Sequence, residues 1–283
     1  QGEVLDNPTL KTLSGSLSNF SFYSSFRYKA GSLADPTSAE RPNITNASEK
    51  PNLQSLSGRV GAKYRLSKQD NLSLRVGTQM AGPFHSSHKS KDPRVQKEFD
   101  NNHQELNFDD PRLSYFRTYN LGPVQNITFT TFELTTRGAL TDLGYFGNFS
   151  LSHAAAIPLS RSLYVAATFS ATQLFFDQDS TEGPFGRTIS LRPFQTERVY
   201  KGSLSMEYYP IEDIAIRAIT DIGSYFQMRN DDFSEIQRRD LQQTIAFTYF
   251  FTRDISVAPN IKFIADDIRA ERTNLGMSFT VNL

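Results

Sequence analysis

The chain of 283 residues contains no cysteine and no tryptophan. Without thiols, a disulfide framework and a cysteine nucleophile are both excluded. Net charge is missing too, since 30 Lys and Arg balance 30 Asp and Glu. That balance argues against a general nucleic-acid binder, whose footprint is a basic excess. Nor is there an apolar run approaching the roughly 20 residues that a membrane-spanning helix needs, and the mean hydropathy is −0.45. A chain that crosses a membrane with strands survives all these exclusions, because a wet lumen and polar loops dilute its hydrophobicity. Any aromatic girdle in such a barrel would have to come from the 23 Phe and 12 Tyr.

What the sequence does have is alternation. Its last eleven residues, TNLGMSFTVNL, place Leu275, Met277, Phe279, Val281 and Leu283 on one face and Asn274, Gly276, Ser278, Thr280 and Asn282 on the other. Twelve strand-like segments are expected, over 17–30, 56–67, 71–82, 112–120, 126–137, 146–157, 163–176, 198–209, 213–227, 240–251, 255–265 and 273–283. Tight turns rich in Pro, Gly, Asp and Ser follow the even-numbered segments: SKQD, LGPVQ, PLSRS, PIE and TRD. Long polar connections follow odd-numbered ones, notably 31–55, 83–111, 177–197 and 228–239. Short turns at one end and long loops at the other predict an all-β fold: a single antiparallel up-and-down transmembrane barrel over 13–283, with both termini on the turn side. Residues 1–12 do not alternate and include Pro8, so they read as a periplasmic tail or a luminal insert.

Facing follows from where charge can go. In the second segment Leu56, Val60, Ala62, Tyr64 and Leu66 alternate with Arg59, Lys63 and Arg65, and in the third Leu72, Leu74, Val76 and Met80 alternate with Arg75 and Gln79. A lysine or arginine on the lipid face near the bilayer midplane costs about 2–4 kcal/mol, so the charged set must point inward. The fourth and fifth segments are less regular. Arg117 shares a face with Tyr115 and Tyr119, and the apolar parity slips between Phe129 and Phe132, as a bulge would explain.

Nine basic side chains then face the lumen: Arg27, Lys29, Arg59, Lys63, Arg65, Arg75, Lys201, Arg217 and Lys262, opposed by Glu133, Glu207 and Asp221. The first six form one basic wall. A turn centred near Gln69 would set Lys63 across from Arg75, a like-charge pair that calls for something negative between them. A turn centred near Ile211 would set Lys201 across from Asp221 and Glu207 diagonal to Arg217, where the charges cancel. The basic wall has two readings. It is a solvated track for anionic solutes, or it is neutralised by a plug, either loop 83–111 with Asp92, Glu98, Asp100, Glu105, Asp109 and Asp110 or the N-terminal segment with Glu3 and Asp6. Twelve strands about 4.8 Å apart and tilted about 40° give a backbone radius of roughly 12 Å, of which side chains take about half, leaving room for a sugar or small acid.

Other chemistry is thin. His85, His88 and His103 share one long loop without the tight third ligand that a metal site needs. Ser152 and His153 are adjacent on one strand and so point to opposite faces, which forbids a dyad between them. The acidic pairs Asp109–Asp110, Asp231–Asp232 and Asp266–Asp267 read as solvated loop carboxylates, with a possible bridging role towards lipopolysaccharide phosphates. The sequons NIT at 43–45 and NAS at 46–48 matter only in a eukaryotic secretory protein. No cofactor is expected.

The alternation up to Leu283 resembles the C-terminal assembly signal of Gram-negative outer-membrane proteins, which usually ends in Phe rather than Leu. The strand count is similar to that of the oligosaccharide-specific monomeric porins, the autotransporter translocators and outer-membrane phospholipase A. This resemblance implies export through a signal peptide removed before Gln1, delivery by the barrel-assembly machinery, and a surround of outer-membrane lipid and lipopolysaccharide. The class hosts channels, closed structural or surface-interaction barrels and lipid-modifying enzymes; the basic wall favours a small monomeric channel passing small anionic solutes, with the closed barrel as the alternative, and with no catalytic constellation to assemble no enzyme is expected. The fold alone does not choose among them.

Overall fold

The computed structural model describes residues 5–44, 50–230 and 235–283; Glu3, residues 45–48 of the two sequons, and Asp231 and Asp232 fall outside them. Twelve strands build the wall: β1 (Phe20–Ser32), β2 (Ser55–Arg65), β3 (Asp70–Ala81), β4 (Asn107–Leu121), β5 (Val124–Leu134), β6 (Tyr145–Pro158), β7 (Leu163–Phe176), β8 (Thr196–Ile211), β9 (Ile214–Met228), β10 (Gln242–Thr252), β11 (Ile255–Ile264) and β12 (Asn274–Asn282). Each pairs antiparallel with its sequence neighbours, and β12 pairs with β1, so the ring closes. Closure leaves no edge, which is the only way a sheet can satisfy its backbone in hydrocarbon. All twelve expected strands are present. The largest differences are that β1 starts at Phe20 and that β4 begins at Asn107, taking Asp109 and Asp110 out of the loop and into the wall.

Alternation sorts the side chains as the charge argument requires. Leu204, Met206 and Tyr208 of β8 are exposed on the outside, as are Ile245, Phe247 and Tyr249 of β10, while Glu207 and Tyr209 are buried within. A continuous apolar belt of this kind far exceeds what a water-soluble monomer exposes. Among the described residues no helix is long and apolar enough to cross a membrane, so crossing falls to the strands.

Three register expectations are corrected. Ser67 donates to the Asp70 carboxylate at 2.6 Å and accepts from the Gln69 and Asp70 amides, which centres the first turn on Lys68. Lys63 is therefore opposite Ser73, and Arg75 is opposite Gly61 rather than Lys63. On its other side Arg75 does meet a cation, Arg112 of β4. At the β8–β9 turn the pair Ile211–Ile214 leaves Glu212 and Asp213 as a two-residue connection, so Glu207 faces Arg217 directly instead of diagonally. An irregularity next to Gly202 then puts Lys201 opposite Ser224 and Asp221 opposite Ser203, separating the expected Lys201–Asp221 pair. Third, there is no bulge at Phe129–Phe132. The β4–β5 and β5–β6 registers run unbroken through both. Phe132 points out, whereas Phe129 points in beside Phe116, with ring centroids 4.6 Å apart.

One cross-strand row shows how a glycine arranges charge. Tyr23, Gly61 and Arg75 lie side by side on β1, β2 and β3. With no side chain between them, the Arg75 guanidinium reaches over Gly61 to the Tyr23 ring, 4.1 Å from its centroid. A Cβ on Gly61 would stand 2.1 Å from the Leu74 carbonyl oxygen, a clash with backbone that no rotamer relieves. Gly61→Ala should destabilise the barrel by about 1–3 kcal/mol, read as a lower urea midpoint in micelles; an unchanged midpoint would show that the row tolerates spreading.

Candidate functional site

The lumen is divided along its length by two segments that fold into it. At the turn end sits α1 (Pro8–Ser14). Asn7 caps it by accepting from the Leu10 amide at 2.9 Å, and Pro8 occupies the first helical position, where its missing N–H costs nothing. Leu5 and Leu10 pack on Phe116, Ile127 and Ala156 of the wall, with Phe129 alongside. The apolar parity slip in β5 is therefore an inward greasy patch that receives the N-terminal segment.

Polar contacts fix the same segment. Gln125 accepts through Oε1 from the Asp6 and Asn7 amides at 2.9 and 3.0 Å. Glu207 accepts from Asn7 at 3.1 Å, from Tyr209 at 2.8 Å and from Arg217 Nε at 2.9 Å. The C-terminal end of α1 exposes carbonyls that the short helix cannot satisfy internally. Here the wall supplies cations: Lys63 donates to Ser14 O at 3.0 Å and Ser16 O at 3.1 Å, Arg65 to Ser16 O at 2.7 Å, and Arg253 to Gly15 O at 2.7 Å. Asn282 adds a bond to Thr12 O at 2.9 Å. Gly15 ends the helix at φ +74°, and a Cβ there would stand 2.4 Å from Lys63 Nζ. The negative group that the basic wall calls for is thus, at Lys63 and Arg65, a row of helix-end carbonyls, the arrangement that the helix dipole favours.

Above α1 the lumen opens into a cavity of about 710 Å³. Arg27, Lys29, Arg59 and Lys262 line it, together with Arg112, Arg137 and Arg217, while Asp110 and Asp221 are its only acidic lining residues among those described. Three of these cations are already matched. Arg112 is paired with Glu133, Arg137 bridges Asp109 and Asp110 at 2.7 and 2.8 Å, and Arg217 meets Glu207. Arg27, Lys29, Arg59 and Lys262 have no carboxylate within ion-pair reach among the described residues. Lys201 lies outside this cavity's lining, and Asp221 within it.

At the loop end, residues 33–44 and 50–54 fold inward, burying Ala39, Arg41, Ile44 and Leu53. Asn274 holds this loop by donating to Pro42 O at 3.1 Å. The polar face of β12 therefore ties down both inserts, one from each end. Loop 83–111, an expected source of neutralising acid, supplies Asp109 and Asp110 to Arg137 from the start of β4. Its helix α2 (Pro93–Asn102) buries Val95 and Phe99 against Leu53 and Ala81. Of the loop's other acids, Asp92 is engaged by Arg94 and Glu98 by Lys50. Hydrogen bonding from Arg94 holds the Asp92 carboxyl down at about 2. Across the rim, Arg192 and Arg229 both grip Asp179, and the Arg192 hydrogen bond lowers its pKa.

The histidines are accounted for by packing: His88 meets Glu40 at 2.8 Å and His103 stacks on Phe99. His153 shares a 3.0 Å hydrogen bond with Thr128 and lies near Tyr119 on the outer face, while Ser152 is on the other. Among the described residues no three His, Asp or Glu gather as a metal set. Sequence reasoning missed Arg41, Arg112 and Arg137 as luminal groups. Extending the parity of Ser114, Phe116 and Thr118 back by one step would have found Arg112; Arg41 and Arg137 sit in loops, where no period applies.

Since Glu207 joins Asn7, Tyr209 and Arg217, Glu207→Ala should strip the anchor and leave the half-buried Arg217 without its carboxylate, a cost of about 1–3 kcal/mol. Trypsin should then cut after Lys11 in the folded variant far faster than in the parent. Equal protection would show that α1 is held without this network.

No protein-family model matches the sequence, and no curated protein matches it in sequence. Solved structures match the fold. The COG4313 outer membrane channel from Pseudomonas putida F1 is similar over 95% of this chain and 97% of that one, with a TM-score of 0.54 at 11% identity. The KdgM porin in complex with disordered oligogalacturonate aligns over 92% and 99%, with a TM-score of 0.48 at 9% identity. The TodX deltaS2S3 mutant monoaromatic hydrocarbon channel aligns over 96% and 92%, at 0.47 and 12%. The chain shares its fold with the first of these.

Proposed function

We propose that the protein is an outer-membrane channel, one path per chain, whose lumen favours anionic solutes. A single observation carries this reading: the central cavity presents seven basic side chains against two acidic ones, and four of the seven have no carboxylate partner among the described residues. Fixed charge inside a low-dielectric wall focuses the field and concentrates counter-ions, and rings of basic side chains are a known means of anion selection. The apolar belt and the likeness of fold to an outer membrane channel support the location. A ring that closes within one chain needs no partner strand and fits a monomer. Export through a cleaved signal peptide, insertion by the barrel-assembly machinery, and contact with outer-membrane lipid and lipopolysaccharide belong to the same reading.

The seated N-terminal segment favours a second reading, a plugged barrel that acts through its loops. Planar-bilayer recording under a KCl gradient separates the two. The channel reading expects current from the full chain with a reversal potential of the sign set by chloride, and a weaker anion preference after Arg27, Arg59 and Lys262 are each changed to Gln. A cation-selective current would overturn it. So would silence of the full chain, and current that appears only after residues 1–16 are removed would establish the plugged barrel.

A further inference from the structure

We propose that the loop end of the lumen holds a binding site for a small multivalent oxyanion, a phosphate ester or a di- or tricarboxylate, built by Arg27, Lys29, Arg41 and Lys262. The physiological sense of this site rests on the channel reading, as the place where a solute is first held.

A second cavity, of about 430 Å³, lies above the central one. Arg27, Lys29 and Lys262 line both, so they stand at the waist between them. The strand between β1 and β11 offers Gly276 opposite Lys29 on one side and Asn260 on the other, leaving no side chain to part the cations. Arg41 enters from the facing side on the inward-folded loop. It is only 8% exposed, and its Nη1 has no hydrogen-bond partner. None of the four makes a hydrogen bond or ion pair among the described residues. The one carboxylate lining the upper cavity among those residues, Glu98, is engaged by Lys50.

Arg41 is buried without a partner, which is unfavourable, and the lumen-facing Arg27, Lys29 and Lys262 add like-charge repulsion. An anion at their centre relieves both costs. Burial pulls the Arg41 guanidinium down only to about 10, so it remains charged at neutral pH. A planar fork with several free donors matches the paired oxygens of a phosphate or carboxylate better than a spherical halide. Gln79 and Asn260, which also line both cavities, add neutral amide donors suited to the same oxygens.

The test is isothermal titration of the full chain in detergent micelles with inorganic phosphate and with citrate. Saturable binding of at least one is expected. Arg41→Gln and Arg27→Gln should weaken it about tenfold or more, the loss of a charge-assisted hydrogen bond, and Arg41→Lys, which keeps the charge and the fold, should fall between. Arg269→Gln on the rim should leave it unchanged. No saturable binding of either anion, or equal effects of Arg41→Gln and Arg269→Gln, would overturn the site. Saturable binding in a barrel that passes no current would keep the site and remove the channel; an anion-selective current without binding would do the reverse.

Discussion

The closed ring of backbone hydrogen bonds is the constraint from which everything else in this protein descends. A sheet with a free edge cannot sit in hydrocarbon, because each unpaired N–H or C=O there lacks water. Once β12 pairs with β1, every strand has one face towards lipid and one towards an enclosed interior, and alternation becomes compulsory. The outer face favours apolar and aromatic groups, and most charge is driven inward regardless of whether the interior has use for it.

Enclosed charge must then be answered, and the two ends of the lumen answer it differently. At the turn end the chain supplies its own counter-groups: the carbonyls at the end of α1 for Lys63, Arg65 and Arg253, and Glu207 for Arg217. Arg75 is met by the Tyr23 ring, an interaction worth about 0.5–2 kcal/mol. Towards the loop end this local matching fails. Arg112 and Arg137 find carboxylates, but Arg27, Lys29, Arg59 and Lys262 face open volume, joined by Arg41 from above. In the half of the lumen that is full the cations have partners, and in the half that is empty they are bare.

The strands were legible because their signal is local. A period of two, bounded by Pro, Gly, Asp and Ser, located all twelve. What failed was anything depending on one residue of register. Moving the first turn from Gln69 to Lys68 exchanged Lys63 for Gly61 as the partner of Arg75. A single irregularity beside Gly202 dissolved the Lys201–Asp221 pair. The parity slip at Phe129 was visible but misassigned, because alternation cannot distinguish a bulge from an apolar group that faces inward to meet another segment.

The sequence by itself determined the barrel: how many strands, which face of each meets lipid, and that the interior is rich in Lys and Arg. Only the tertiary structure decided which of those cations are matched and which are bare. Matching depends on α1 entering at one end and the segment around Arg41 at the other, contacts between groups as far apart as Asn7 and Glu207. Periodicity describes a residue's relation to its near neighbours along the chain; the neutralisation of a charge depends on whatever else is brought within a few ångströms of it, and closure of the ring sets that.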